Sequence, residues 1–334
     1  MSERVKVSVV VVTYNQDGTI GRTLDSILMQ ERDFPIEIII GDDASTDGTE
    51  KVCREYAEKY PEIIRYIRND RNRGVMDNYY DCLLLARGEY IADVAGDDFW
   101  IDNEKLKKQV EVLDNNPNTV LVCTDWKNYD VASGEFKSPW TEGGYPYRDW
   151  FSDKELTYKL LTHTVPTPVH LCTSLYRKKS FLQLYEEDPF VFRNKEFVVE
   201  DLQLTVMLST IGEIKYLDVS TLAYSVHEGS LTGTKDFLKL FDLYFGAIKL
   251  TRYLADKAGI DQKRLEYVYR GFIHYLTMQA FHAYDKTRME KIKGLIKEWN
   301  LSLNLKTGII TRLTNSPKVW LISKNLWQSI RKRH

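Results

Sequence analysis

No run of this sequence is apolar enough over about 18 residues to cross a bilayer, and the mean hydropathy of −0.38 excludes a polytopic membrane protein. Cysteine is scarce. Cys53, Cys82, Cys123 and Cys172 form no CxxC pair, which removes a zinc knuckle or a dithiol redox motif. They read as small buried apolar residues in a reducing compartment. Nine prolines and 18 glycines are too few for a collagenous or low-complexity chain. The first apolar run lacks a glycine-rich turn after it and continues as Thr13-Tyr14-Asn15-Gln16-Asp17, which argues against a dinucleotide dehydrogenase. The segment 300–334 has no Asp or Glu, yet it carries Lys306, Arg312, Lys318, Lys324, Arg331, Lys332 and Arg333. The formal net charge of −2 therefore hides an acidic body and a basic tail.

What is present is enough chain, 334 residues, for one large domain with an appendage or for two domains. The opening MSERVKVSVVVVTYN puts charge before an apolar run, as a secretory leader does. Val7–Val12 is too short for such a leader and no small-residue cleavage pattern follows, so a cytoplasmic location is expected. Val7–Val12, Ile36–Ile40, Ile63–Ile67 and Glu89–Val94 are short, β-branched runs that suit strands buried on both faces. Helical spacing separates them over Thr19–Met29, Asp47–Tyr60 and Asn78–Ala86. That alternation predicts an α/β fold with a mostly parallel sheet, whose ligands bind at the carboxyl ends of the strands. Further on, Val120–Thr124 and Val169–Tyr176 read as strands, Lys154–Thr162 as a helix and Ser138–Trp150 as an aromatic loop. From Lys235 the pattern is helical, with stripes Phe237, Phe241, Tyr244, Ile248 and Leu265, Val268, Phe272, Leu276.

Polar residues gather at the predicted strand ends: Thr13-Tyr14-Asn15, then Asp42 to Thr49, then Asn69 to Gly74, then Gly96-Asp97-Asp98. Ser45, Thr46 and Asp47 are good helix caps, but capping does not call for two acids directly after an apolar strand. A carboxylate there accepts a ring N–H from uracil, thymine or guanine, and Tyr14 offers a stacking face. Asp97 and Asp98 are adjacent carboxylates with few cations nearby, which is costly without a bound cation. Such oxygen ligands suit Mg²⁺ or Mn²⁺ bridging a diphosphate, and either acid can be the direct ligand. Arg68, Arg71 and Arg73 add positive charge on the third loop.

These segments resemble the family 2 glycosyltransferases. The matching runs are VSVVVVTYN, IIIGDDASTDGT, NRNRGVMDN, GEYIADVAGDDFWIDNEKLKKQV, HLCTSLYRKK, VVEDLQL and YSVHEGS, in family order from Val7 to about Ser230. The resemblance implies a GT-A fold, a nucleotide-sugar donor with UDP as the default, and inverting transfer to an acceptor hydroxyl. It implies a transferase domain over 1–232, with a nucleotide-sugar half 1–115 and an acceptor and catalytic half 116–232. A helical region 233–299 and the basic tail 300–334 follow. Carried over, Thr13, Tyr14, Asn15, Asp43, Arg73, Asn78 and Asp97 line the donor site, Asp97, Asp98 and His227 hold the metal, and Asp201 is the catalytic base. Glu200 and Ser174 stand on the acceptor side, in a region that Tyr176, Arg177, His163 and His170 also border. One departure stands out: many relatives have an acid where this chain has Ala95, and Asp93 lies two positions earlier on the same strand face.

The implied chemistry is a single displacement in which Asp201 takes the acceptor proton while a divalent metal neutralises the leaving diphosphate. A nucleotidyltransferase would share the base pocket and the metal acids, but it would not need Glu200-Asp201. A non-catalytic or weakly active nucleotide-sugar-binding protein is the other reading, with Ala95 as its support. The tail mixes its cations with Trp320, Leu321, Ile322, Leu326, Trp327 and Ile330. This composition fits an in-plane helix on the inner membrane face and equally a terminal helix packed on the body. A lipid-linked acceptor favours the first. No nucleic-acid partner is expected.

Overall fold

The computed structural model describes residues 4–138, 144–163, 167–197, 200–226 and 236–331. The chain divides into two compact units, Met1–Ser230 and Leu231–His334. In the first, nine strands among the described residues form one sheet: β1 Val7–Thr13, β2 Ile36–Asp42, β3 Ile64–Arg68, β4 Tyr90–Ala95, β5 Phe99–Trp100, β6 Thr119–Asp130, β7 Glu135–Lys137, β8 Leu175–Arg177 and β9 Glu213–Val226. Their order is β3-β2-β1-β4-β8-β6-β9-β5, with β7 beside β6. Strands β1 to β4 pair in parallel, whereas β8 is antiparallel to both β4 and β6, so the second half of the sheet is mixed.

The parallel register decides where the loops emerge. Thr13 pairs with Asp42, Val12 with Gly41 and Ala95, and Asp42 with Arg68, so four strands end along one edge. The Val/Ile runs of β1 and β2 are buried on both faces, as the continuous apolar pattern requires. Helix Ile20–Leu28 buries Ile20, Leu24 and Ile27, its 3.6-residue stripe. Each such side chain contributes about 1.5–3 kcal/mol of burial. Gly96 permits a close approach at the same edge: a Cβ there would lie 2.5 Å from Gln16 Oε1 and 2.8 Å from Thr13 Oγ1.

One expectation changes, and one strand had no expectation at all. Val169–Tyr176 is not one strand, because Leu171–Thr173 forms a 3₁₀ turn and only Leu175–Arg177 pairs with the sheet. The cause is local: His170 Nδ1 accepts the Cys172 N–H, and Asp201 accepts the Leu171 N–H, which takes both amides out of any ladder. Strand β9, with its polar-interrupted sequence, carries no clear alternation and is the long parallel partner of β6.

The second unit holds helices Phe237–Lys257, Glu266–Ala283, Lys286–Glu298, Leu305–Leu313 and Pro317–Arg331. Asp236, Asp285 and Asn304 cap three of them with side-chain acceptors. Phe241, Ile248, Leu265, Val268 and Leu276 are buried. Trp320 is buried as well; its indole N–H donates to Phe281 O at 3.0 Å and its ring stacks on Phe281. That indole is a packing peg, not an interfacial residue. The helix instead turns Val319, Ile322 and Leu326 outward, and the preceding helix exposes Leu305 and Ile309. Among the described residues no helix is long and apolar enough to cross a membrane.

Candidate active site

The loops after β1 and β2 hold each other in unusual backbone shapes. Asn15 and Ala44 both have positive φ, 53° and 62°. The Asn15 N–H donates to Ser45 Oγ at 2.9 Å, and Asn15 Oδ1 accepts the Thr46 N–H at 2.8 Å. For Ala44 a left-handed backbone costs about 1–3 kcal/mol, a strain that packing must hold in place. The result is an exposed Tyr14 ring beside a buried Thr13.

The two acids after β2 have separate roles. Asp42 is buried and builds its own turn: it accepts from Ser45 N and Oγ at 2.9 and 2.6 Å, and from the Tyr66 hydroxyl at 2.7 Å. Asp43, also buried, accepts from Asn69 Nδ2, Arg73 N and Gly74 N, each at 2.9 Å. It therefore orders the loop 69–74. A carboxylate has about four lone-pair positions, so about one remains for a ligand donor. Asn78 is a buried brace, donating to Gly41 O at 2.8 Å and accepting from Asn69 at 3.0 Å. Arg68, Asn69, Asp70, Arg71 and Arg73 line an open, cationic hollow beside it.

Around β4 the acids differ sharply in setting. Asp93 points into the interior, where Oδ1 accepts from the Tyr176 hydroxyl at 3.3 Å and Oδ2 has no hydrogen-bond partner. Burial pushes its carboxyl up to about 8, against the opposing effect of the Tyr176 and Tyr79 hydroxyls. It is buried two positions before Ala95 on the same strand. Asp98 is buried too, and its Oδ1 accepts the Ser225 N–H at 2.8 Å. Burial first, and the Asp97 charge second, hold the Asp98 carboxyl well above the usual range. Asp97 is half-buried; its carbonyl accepts from Ser225 Oγ at 2.5 Å and from Arg22 at 3.3 Å. The Arg22 guanidinium lies 4.0 Å over the Phe99 ring and 4.7 Å from that of Tyr129, which fixes it against the turn.

The 3₁₀ turn 171–173 joins this acid turn to the predicted base. Ligating atoms of Asp98, His170 and Cys172 lie within 4.8 Å of one another, while the Leu171 N–H donates to Asp201 Oδ1 at 3.0 Å. Burial pushes Asp201 up to about 6, opposed by that N–H, and pushes Glu200 up to about 7 with help from the Asp201 charge. Burial lowers His170 to about 4, so its ring is neutral at pH 7. Ser174 is buried and donates to His170 O at 3.2 Å. Because β8 runs antiparallel to β4, Arg177 pairs with Tyr90 at the opposite sheet end, where it donates to Leu113, Asn116 and Thr119 carbonyls. His163 packs edge-on against Tyr147 and Trp150.

Thr13, Tyr14, Asn15, Asp43, Arg73 and Asn78 thus share one edge with Asp97 and Asp98, and Asp201 reaches that edge through Leu171. His227 lies outside the described residues. Sequence reasoning missed the parts played by Arg22, Ser225 and the amide of Leu171: Ser225 and Leu171 lie within matched runs, but contacts to or from main-chain atoms give their residue types no signature. A hard divalent ion fits the adjacent acids: Asp98 is costly as a buried anion, and oxygen donors that leave room for waters suit Mg²⁺ or Mn²⁺. Two carboxylates from separate segments flanking one edge are the equipment of a proton transfer opposite a departing anion.

A model of glycosyl transferase family 2 matches residues 8–184, just over half of the chain. An uncharacterised protein of Mycobacterium tuberculosis is 47% identical over 114 residues, which cover 34% of this chain and 33% of that protein. The Escherichia coli UDP-Glc:α-D-GlcNAc-diphosphoundecaprenol β-1,3-glucosyltransferase WfaP is 33% identical over 138 residues, 40% of this chain and 51% of WfaP. The chain thus spans between a third and about half of these relatives. Residues 1–349 of S. aureus TarS, in complex with UDP-GlcNAc, superpose with a TM-score of 0.61 at 19% identity, covering 99% of this chain and 93% of that one. That likeness is one of fold.

Proposed function

The chain belongs to glycosyl transferase family 2 and is a glycosyltransferase, and we propose that it moves a sugar from a UDP-sugar to a hydroxyl of a glycan or lipid-linked acceptor in surface polysaccharide assembly, with inversion. The observation that carries this reading is the Leu171 turn, which sets Asp201 on one side and the Asp97-Asp98 acids on the other. The acceptor oxygen attacks the anomeric carbon as the bond from that carbon to the diphosphate oxygen breaks. Asp201 receives the hydroxyl proton, and the nucleoside diphosphate leaves from the opposite face.

On the donor side, Tyr14 supplies a ring face, and the remaining acceptor position of Asp43 takes a base N–H. Arg71 and Arg73 meet the diphosphate. Half-buried Asp97, and Asp98, whose ligating atom lies near those of His170 and Cys172, are the acids that would hold a divalent ion. A Mn²⁺ or Mg²⁺ held there supplies charge neutralisation for the departing diphosphate.

The acceptor is proposed as lipid-linked, reached from the cytoplasmic membrane face. WfaP's own name specifies a diphosphoundecaprenol-linked substrate, and the acid-free tail presents Leu305, Ile309, Val319 and Ile322 outward among its cations. The decisive test of the chemistry is Asp201→Asn. It should keep UDP binding and lose transfer by about 10²–10⁴-fold. Undiminished turnover in that variant would remove Asp201 as the base.

A further inference from the structure

Helix Val75–Leu84 touches both sides of the reaction. At its start, Gly74 and Asn78 belong to the cradle around Asp43. Further along, Asp77, Tyr80 and Asp81 hold the segment that bears Glu200 and Asp201. Before that pair, Arg193 Nη2 lies 2.7 Å from Asp81 Oδ1, and Nη1 lies 3.6 Å from Asp77 Oδ1 and donates to Asp77 O at 3.4 Å. Arg193 Nε donates to the Tyr185 hydroxyl at 2.8 Å, so all three guanidinium nitrogens are engaged. Lys195 Nζ adds a contact to Asp77 Oδ2 at 3.1 Å. After the pair, Gln203 Nε2 donates to the Tyr80 hydroxyl at 2.6 Å. Described residues before and after Glu200-Asp201 are thus tied to one helix.

The second oxygen of Asp81 belongs to the donor loop. It meets Arg73 Nη1 at 2.5 Å, and the Arg73 backbone N–H is itself on Asp43. Arg73 is exposed, whereas Arg193 is largely covered. One carboxylate is therefore shared between a cation facing the donor hollow and a cation anchoring the approach to Asp201.

We propose that Arg193 is a positioning residue for Asp201, and that Asp81 couples it to donor capture through Arg73. This rests on the reading of Asp201 as the base. A diphosphate carries more negative charge than a carboxylate and competes for Arg73. As Arg73 turns to the donor, Asp81 is left to Arg193 alone, and the base segment is held more tightly when there is a sugar to transfer. A lysine keeps the charge but not the three-pronged plane that reaches Asp81, Asp77 and Tyr185 together.

Hydrogen exchange of the amides at 200–203 tests the coupling. It is read with and without Mn²⁺ plus UDP or GDP, whichever binds more tightly, in the full chain and in its Arg193→Gln and Arg193→Lys variants. The expected result is at least about fivefold slower exchange on nucleotide binding in the parent. The change should vanish in Arg193→Gln and be partial in Arg193→Lys, with nucleotide affinity within about threefold of the parent. A merely structural arginine would speed exchange equally in free and bound forms. Nucleotide-dependent protection that persists in Arg193→Gln, or is absent from the parent, overturns the coupling. If Arg193→Gln fails to fold, Arg193→Lys decides: protection reduced below the parent's supports the coupling, and protection equal to the parent's overturns it. Asp201→Asn, run in parallel, should lose transfer yet keep the protection, so failure of the base reading is seen separately. Failure of both nucleotides to bind the parent overturns the nucleotide-sugar reading and this inference with it.

Discussion

Replacing Asp93 by Asn probes the most unusual carboxyl of the sheet. The native state holds this group's proton far more tightly than the unfolded chain does, near 8 against the usual 3.8, because of burial. The sign follows from linkage. A carboxyl raised in the folded state contributes its full stability below about 4, and that contribution is lost as pH rises through about 8. The interior supplies little compensation there, because burial lowers Lys105 to about 7, and its Nζ donates to Gln109 while lying over the Trp100 ring. Removing the charge is therefore worth up to about 5 kcal/mol above pH 8. Against it, the Asn amide brings N–H groups to a place where Oδ2 has no partner, a cost of about 1–3 kcal/mol. The variant should melt below the parent near pH 4, cross it between about pH 4.5 and 6, and melt roughly 5–10 °C above it at pH 9. Thermal melts of both proteins across that range measure it. Parallel curves, with a constant difference at every pH, would refute the buried-carboxyl argument. Loss of all Mn²⁺-dependent turnover in a folded Asp93→Asn would show instead that Asp93 does stand in for the acid absent at Ala95.

Two further outcomes follow from the same groups. With Asp201 pushed up to about 6, the base is ionised above that value, so kcat should be flat at higher pH and fall about tenfold per pH unit below it; an acidic limb near 4 would contradict the burial that raises it. At the basic tail, Leu305→Glu with Ile322→Glu should reduce sedimentation with phosphatidylglycerol vesicles about tenfold or more. Equal sedimentation of variant and parent would remove the membrane reading. Truncation is the poorer probe, because Trp320 packs on Phe281 and its loss would disturb the helical unit itself.

Legibility in the sequence tracked how locally each feature is determined. Val7–Val12 and Ile36–Ile40 announced themselves because β-branched residues buried on both faces leave a continuous run, and the polar strand ends then fell in one row by register. The run Val169–Tyr176 misled because its composition suits a strand, while its shape is set by a carboxylate thirty positions away from Leu171 in the chain. Strand β9 was invisible for the opposite reason: its partner β6 supplies the ladder that its own residues do not advertise. Asp43 was readable as a site acid, but not as the organiser of loop 69–74, since its donors are two backbone amides and one side chain. The seven-residue spacing of Trp320 and Trp327 fits either face of a helix, and only packing against Phe281 chooses one for Trp320.

If Asp43 meets the base as proposed, its cradle has a consequence for which nucleotides the chain refuses. Three of the carboxylate's acceptor positions are spent on the protein, and no donor of its own faces outward from it. On the proposed reading, the position left over can meet only a hydrogen. Uracil, thymine and guanine carry a proton on the ring nitrogen of the pairing edge; cytosine and adenine carry a lone pair there. A lone pair facing the carboxylate repels it, so cytosine or adenine would have to shift to present its amino group instead. Nucleotide choice would then be made by exclusion, through a single proton on the base, before any sugar is inspected.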